Sequence, residues 1–135
     1  MTKEDEQLLA EARRTRAFAY APYSHFAVGA AVRGASGKLY GGCNVENGVF
    51  SVTNCAERTA IFQGVAAGEK TFTALAVVAE GEIPVSPCGA CRQVMAEFHI
   101  PRILMANLAG DTREMTLEAL LPSAFAAQIE GRERI

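Results

Sequence analysis

Cysteine, glutamate and arginine meet in two short pieces of this chain, Asn54-Cys55-Ala56-Glu57-Arg58 and Pro87-Cys88-Gly89-Ala90-Cys91-Arg92. Each piece follows a polar or proline-bounded stretch and opens a segment whose apolar residues recur at helical spacing, so both are expected at helix starts. Free N–H groups and a positive partial charge at a helix N-terminus shift a cysteine there toward thiolate. Three thiolates converging from two helix starts suit a soft divalent cation. Zinc is the best match, since it takes Zn–S bonds of about 2.3 Å and tolerates three protein ligands plus water. An open fourth position is a catalytic feature, because zinc lowers the pKa of its water toward about 7. Such chemistry needs a proton carrier that is not itself a ligand. Glu57, two residues after Cys55, is the candidate. Arg58 lies three residues after Cys55 on the same helix face, where a guanidinium offsets the net charge of three thiolates around a divalent ion.

Other readings of the same residues stay open at this point. A lone C-x-x-C also serves as a redox dithiol or as half of a structural zinc site. A four-cysteine structural site would need Cys43, but that residue sits in the extended run Leu39–Asn44, where a free cysteine packs as a small hydrophobe. A single Glu is often a solvated first-turn charge, and a single Arg is often simply exposed. His99 belongs to no pattern and is expected at the surface or as a satisfied core residue.

Positioning these groups falls to 135 residues, of which 50% are hydrophobic and 21% charged. That is the length of one domain with apolar material for a real core, so residues 1–135 are read as a single catalytic domain, and global disorder is excluded. The longest unbroken apolar run, Ala74–Ala79, is far too short to span a bilayer. Thirteen Lys and Arg against fifteen Asp and Glu give a net charge of -2, which offers no strong pull toward nucleic acid or an anionic membrane. The stretch Met1–Gln7 is acidic and polar with no apolar segment behind it, so a cytoplasmic location with reduced thiols is expected.

Periodicity predicts a helix over Thr2–Tyr20, stopped at Ala21-Pro22, and a hairpin of strands Phe26–Val32 and Lys38–Val45 around the Gly34–Gly37 turn. Asn47–Asn54 reads as loop. A helix over Cys55–Ala67 closes at Gly68, and Thr73–Ala79 reads as a strand covered on both faces. Beyond the loop bracketed by Pro84 and Pro87, the spacing predicts a helix over Gly89–Phe98 and strands Arg102–Ala106 and Arg113–Thr116. A helical turn over Leu117–Leu121 completes the order. Strands alternating with helices after a hairpin argue for a three-layer α/β/α domain with a mixed five-stranded sheet.

Cys55-Ala56-Glu57-Arg58 followed by Pro87-Cys88-Gly89-Ala90-Cys91-Arg92-Gln93 resembles the zinc-dependent cytidine deaminases, specifically the small homotetrameric kind. The likeness extends through Ala21–Phe26, Val28–Ala30, Gly42–Asn47 and Leu120–Phe125. It implies a cytidine deaminase-like fold and one Zn2+ per chain on Cys55, Cys88 and Cys91. By the same resemblance Glu57 is the proton shuttle and Arg58 the charge-compensating arginine. Phe26 packs on the pyrimidine ring, Asn44 and Glu46 hold the ribose hydroxyls, and Ala56 contacts the base through its backbone. Phe50 falls near the substrate where relatives usually carry Tyr, so a hydroxyl is lost there. Phe125 completes a neighbouring subunit's pocket. The implied reaction is hydrolytic deamination of cytidine and 2′-deoxycytidine to the uridines, with ammonia released, in pyrimidine salvage, by a homotetramer with shared sites. A deaminase of a nucleoside-like antibiotic would keep the zinc motif without needing the pair in Asn44-Val45-Glu46-Asn47. A non-catalytic zinc-stabilised binding module would need a closed four-ligand site and no Glu57. An RNA or DNA deaminase is disfavoured by the charge of -2 and by the lack of a basic aromatic stripe.

Overall fold

A capping box opens the first helix. Thr2 Oγ1 accepts from the Asp5 backbone N–H at 3.1 Å, and Asp5 Oδ2 accepts from the Thr2 N–H at 3.4 Å. Acidic Glu4, Asp5 and Glu6 in the first turn and Arg13, Arg14 and Arg16 in the last complement the helix dipole. This is α1, Lys3–Arg16, in a computed structural model that describes residues 1–126. The expected continuation to Tyr20 does not form. Tyr20 is drawn into extended pairing instead, its N–H donating to Asn44 O at 3.0 Å and its carbonyl accepting from the Glu46 N–H at 2.8 Å.

The strands are β1 (Val28–Gly34), β2 (Leu39–Cys43), β3 (Phe72–Ala79), β4 (Arg102–Ala106) and β5 (Thr112–Thr116). They form one sheet in the order β2-β1-β3-β4-β5, in which only β3 and β4 run parallel. The helices α2 (Ala56–Ala66) and α3 (Gly89–Glu97) join β2 to β3 and β3 to β4, and α4 (Leu117–Leu120) follows β5. Two hydrophobic layers result. Leu8, Leu9 and Ala12 of α1 pack on Ala31, Ala74, Ala76, Val78 and Leu104. Ile61 of α2 and Met95 of α3 pack on the opposite face with Val32, Leu75, Val77, Ile103 and Met105. Successive residues of β3 thus enter opposite layers, as a strand covered on both faces requires. Full burial of a side chain such as Ile61 contributes about 1.5–3 kcal/mol. The three-layer α/β/α fold with a mixed five-stranded sheet stands as expected.

β1 begins two residues later than its apolar run, because side chains take the preceding carbonyls: Asn44 Nδ2 donates to Phe26 O and Arg16 Nε to Ala27 O. β2 ends at Cys43 rather than Val45, since Val45 pairs with Tyr20 and Asn54. Within the expected loop 47–54, Phe50–Val52 form a single 3₁₀ turn.

Candidate active site

Two consecutive glycines on β2 set how closely the helices approach. A Cβ on Gly42 would lie 2.4 Å from Ala60 N and 2.8 Å from Ala56 O, so the α2 backbone rests directly on the strand. That contact fixes the start of α2, and the start of α2 carries the chemistry. Cys55 is its N-cap, Glu57 and Arg58 lie in its first turn, and the first intrahelical bond runs from the Thr59 N–H to Cys55 O. α3 repeats the plan, with Cys88 as N-cap and Cys91 three residues on.

Cys55, Cys88 and Cys91 bring their sulfurs within 4.8 Å of one another, and the Cys55–Cys88 separation is 3.8 Å. Tetrahedral zinc with bonds near 2.3 Å sets its sulfurs about 3.8 Å apart, so the donor set fits the ion in number, type and spacing. Arg58 Nη2 donates to Cys55 Sγ at 3.2 Å, while its Nε is buried with no partner among the described residues. Hydrogen bonds from the Cys91 thiol and Arg58 hold Cys55 well below an ordinary thiol, while Cys91, buried beside that thiolate, is pushed up. Metal binding therefore displaces protons from the set. Glu57 is only 4% exposed, and desolvation pushes its carboxyl up to about 7, with the Cys55 charge adding to the rise.

Cys43 stays outside this group. It is half-buried at the end of β2, and burial raises its thiol. The Cys43→Ser variant is expected to retain one zinc per chain by metal analysis, whereas loss of the metal would revive a four-cysteine site. His99 is exposed at the end of α3, away from any ligand role.

A second group gathers around segment 20–28. Asn44, buried, accepts from the Val28 N–H at 2.9 Å and donates to Phe26 O at 2.8 Å. Glu46 Oε1 accepts from the Tyr23 and Ser24 N–H groups at 2.9 and 3.1 Å, and Oε2 accepts from Ser24 Oγ. Those donors hold its carboxyl below the usual range. Ser24 Oγ also accepts from the Phe26 N–H at 3.0 Å. Between Asn44 and Glu46, Val45 exchanges two backbone hydrogen bonds with Asn54, each 2.9 Å, one residue before Cys55. The polar pair and the thiolate group are thereby stitched together.

Ala56 is fully buried in the first turn of α2. Phe26 is 43% exposed, Phe50 76% and Phe125 74%. Phe50 meets Tyr23 edge-on at 6.0 Å, and the Phe125 carbonyl accepts from Gln93 Nε2 at 3.0 Å. Ser24 and Arg92 fall within the motifs that carry the resemblance but received no role from the sequence, because one key partner of each, Glu46 for Ser24 and Leu120 for Arg92, lies far along the chain.

The family model for the cytidine and deoxycytidylate deaminase zinc-binding region matches residues 2–107. The chain belongs to this zinc-binding deaminase family. It is 54% identical over 126 residues to a cytidine deaminase from Sporosarcina psychrophila, covering 91% of this chain and 92% of that one. A cytidine deaminase from Halalkalibacterium halodurans is 47% identical over 125 residues, covering 91% and 95%. The crystal structure of cytidine deaminase from Burkholderia pseudomallei superposes with a TM-score of 0.87 at 48% identity, over 93% of this chain and all of that one. Zinc is thus the metal of this family's site, and Cys55, Cys88 and Cys91 are placed so that they could hold it.

Proposed function

We propose that residues 1–135 act as one catalytic domain that hydrolyses cytidine and 2′-deoxycytidine to uridine and 2′-deoxyuridine with release of ammonia. The convergence of three thiolates with a buried, non-ligating Glu57 at one helix start carries this reading. When bound, zinc supplies a water acidified enough to act as nucleophile near neutral pH. Glu57 takes up the first proton of the water as its oxygen bonds to C4 and delivers it to N3. It then carries the second proton from the new C4 hydroxyl to the amino group, which leaves as ammonia as the C4–N bond breaks and the C4 carbonyl forms. Arg58, hydrogen-bonded to Cys55, lowers the electron density that three thiolates would place on the site. Phe26 packs on the pyrimidine ring, and the Ala56 backbone contacts the base. Phe50 borders the substrate without the hydroxyl usual in relatives. The decisive assay is the ultraviolet absorbance of cytidine with the zinc-loaded protein: conversion to uridine is expected, and an unchanged spectrum would overturn the reading.

Asn44 and Glu46 are assigned to the ribose hydroxyls, using the hydrogen-bonding capacity left after they anchor segment 23–28. Cytidine is therefore expected to be a good substrate and free cytosine a poor one. A carboxylate beside the sugar also disfavours a 5′-phosphate. Comparable kcat/KM for cytidine and cytidine monophosphate would remove that assignment.

The assembly is read as a homotetramer with sites shared between subunits, in the cytoplasm and in pyrimidine salvage. Among the described residues no helix is long and apolar enough to cross a membrane. The exposure of Phe62, Val65, Phe50 and Phe125 supports self-association, since large apolar side chains left bare in one chain are available to another. Phe125→Ala is expected to raise KM for cytidine while sedimentation still reports a tetramer. An unchanged KM in a tetrameric variant would end the role of Phe125, and a fully active monomeric wild type would end the assembly.

A further inference from the structure

Arg92 follows the last zinc ligand directly, and none of the chemistry above uses it. Its backbone N–H donates to Cys88 O at 3.0 Å, and its Nε donates to Pro87 O at 2.8 Å, so the residue brackets Cys88 from both sides. Nη2 donates to Ser86 Oγ at 2.7 Å on the same loop. The remaining arm reaches elsewhere: Nη1 donates to Leu120 O at 2.7 Å, at the end of α4. The next residue, Gln93, holds the Phe125 carbonyl at 3.0 Å. One end of α3 therefore grips both the loop that presents Cys88 and the segment that presents Phe125.

Arginine suits this work in a way lysine does not. Its planar fork fixes several acceptors in one geometry, whereas an ammonium is a mobile point charge on a flexible stem. Hydrogen bonds from a charged donor are about twice as strong as neutral ones, and here two of the three fall on main-chain carbonyls, of Pro87 and Leu120, whose position fixes the backbone. Cys88 is an N-cap with no side-chain cap hydrogen bond, and it is exposed, so the backbone on either side is what aims its sulfur.

We propose that Arg92 is a positioning residue that locks the zinc-ligand loop to the C-terminal segment, so that the aim of Cys88 and the placement of Phe125 are set by one guanidinium. Gln93 completes only the second half of this lock. The proposal rests on the zinc site assigned above, and its test reads zinc release separately from turnover.

The test compares zinc-loaded wild type, Arg92→Lys and Gln93→Ala. Three measurements are made: zinc transfer to a colorimetric chelator, thermolysin cleavage at the Ala119–Leu120 bond, and the rate of global unfolding in urea. Arg92→Lys is expected to release zinc at least about tenfold faster, the lower end of what groups supporting metal ligands contribute. It is also expected to be cleaved faster, with a much smaller change in unfolding rate. Gln93→Ala is expected to raise KM for cytidine and leave zinc release unchanged. Wild-type zinc release in Arg92→Lys would overturn the proposal. So would zinc release and unfolding that accelerate by the same factor, because Arg92 would then support only the fold. Loss of deamination in the wild type would instead strike the proposed function and leave the zinc-release comparison intact.

Discussion

The Glu57→Gln variant is expected to bind one zinc, melt close to the wild type, and lose at least about 10² to 10⁴ of its turnover of cytidine. The amide matches the carboxylate in shape, and Glu57 is not among the sulfur donors, so neither the core around it nor the metal set loses a member. What disappears is the ability to accept and return a proton. The loss is expected at the upper end of that range, because one group serves the attacking water, N3 and the departing amine in turn. The measurement is kcat by ultraviolet absorbance, paired with metal analysis and a thermal melt of the same sample. Near-normal kcat in zinc-loaded Glu57→Gln would remove Glu57 from the proton path. Normal fold with lost zinc would reassign it to holding the metal set together.

How much of this site the sequence disclosed depends on how local each part is. The clustering of Cys55, Cys88 and Cys91 was legible because its geometry is helical arithmetic. A cysteine at an N-cap and a group three residues on lie on the same side of the first turn, and both α2 and α3 use that spacing. The burial of β3 on both faces was legible for the same reason, being a property of one consecutive apolar run. The end of α1 was not. Phe18 and Ala19 continue its helical spacing, yet Tyr20 exchanges backbone hydrogen bonds with residues 44 and 46, and no local pattern records that competition. Ser24 and Arg92 stand in motifs of the resemblance, but their roles are not local, since each reaches a partner 22 or 28 positions away. The order of strands in the sheet likewise follows from packing between distant segments. The assignment of substrate-binding residues rests on the resemblance, and the structure adds that Asn44 and Glu46 spend part of their hydrogen-bonding capacity on segment 23–28.

Gly42→Ala is expected to cost about 1–3 kcal/mol of stability and to depress turnover far more than that loss explains. The added methyl would sit 2.4 Å from Ala60 N and 2.8 Å from Ala56 O. Both are backbone atoms, so no side chain can swing aside, and α2 itself must move off the sheet. That motion displaces Cys55, Glu57 and Arg58 together relative to Cys88 and Cys91 on α3. A displacement near 1 Å can cost about 10² in rate even when every residue is retained. Gly41→Ala supplies the control, one residue away on the opposite face of the same strand. There the methyl meets side-chain atoms of α1, with Thr15 Cγ2 at 2.4 Å and Glu11 Oε2 at 2.9 Å. Glu11 can swing aside while buried Thr15 must shift at a cost in stability, and α1 carries none of the residues proposed to hold zinc or move protons. Both variants are compared by urea unfolding, zinc transfer to a chelator and kcat for cytidine. Gly42→Ala should release zinc faster and turn over slowly, while Gly41→Ala loses stability but keeps its zinc and most of its kcat. Equal losses of kcat in the two variants, or wild-type kcat in Gly42→Ala, would show that the seat of α2 on β2 does not set the geometry of the metal and the proton carrier.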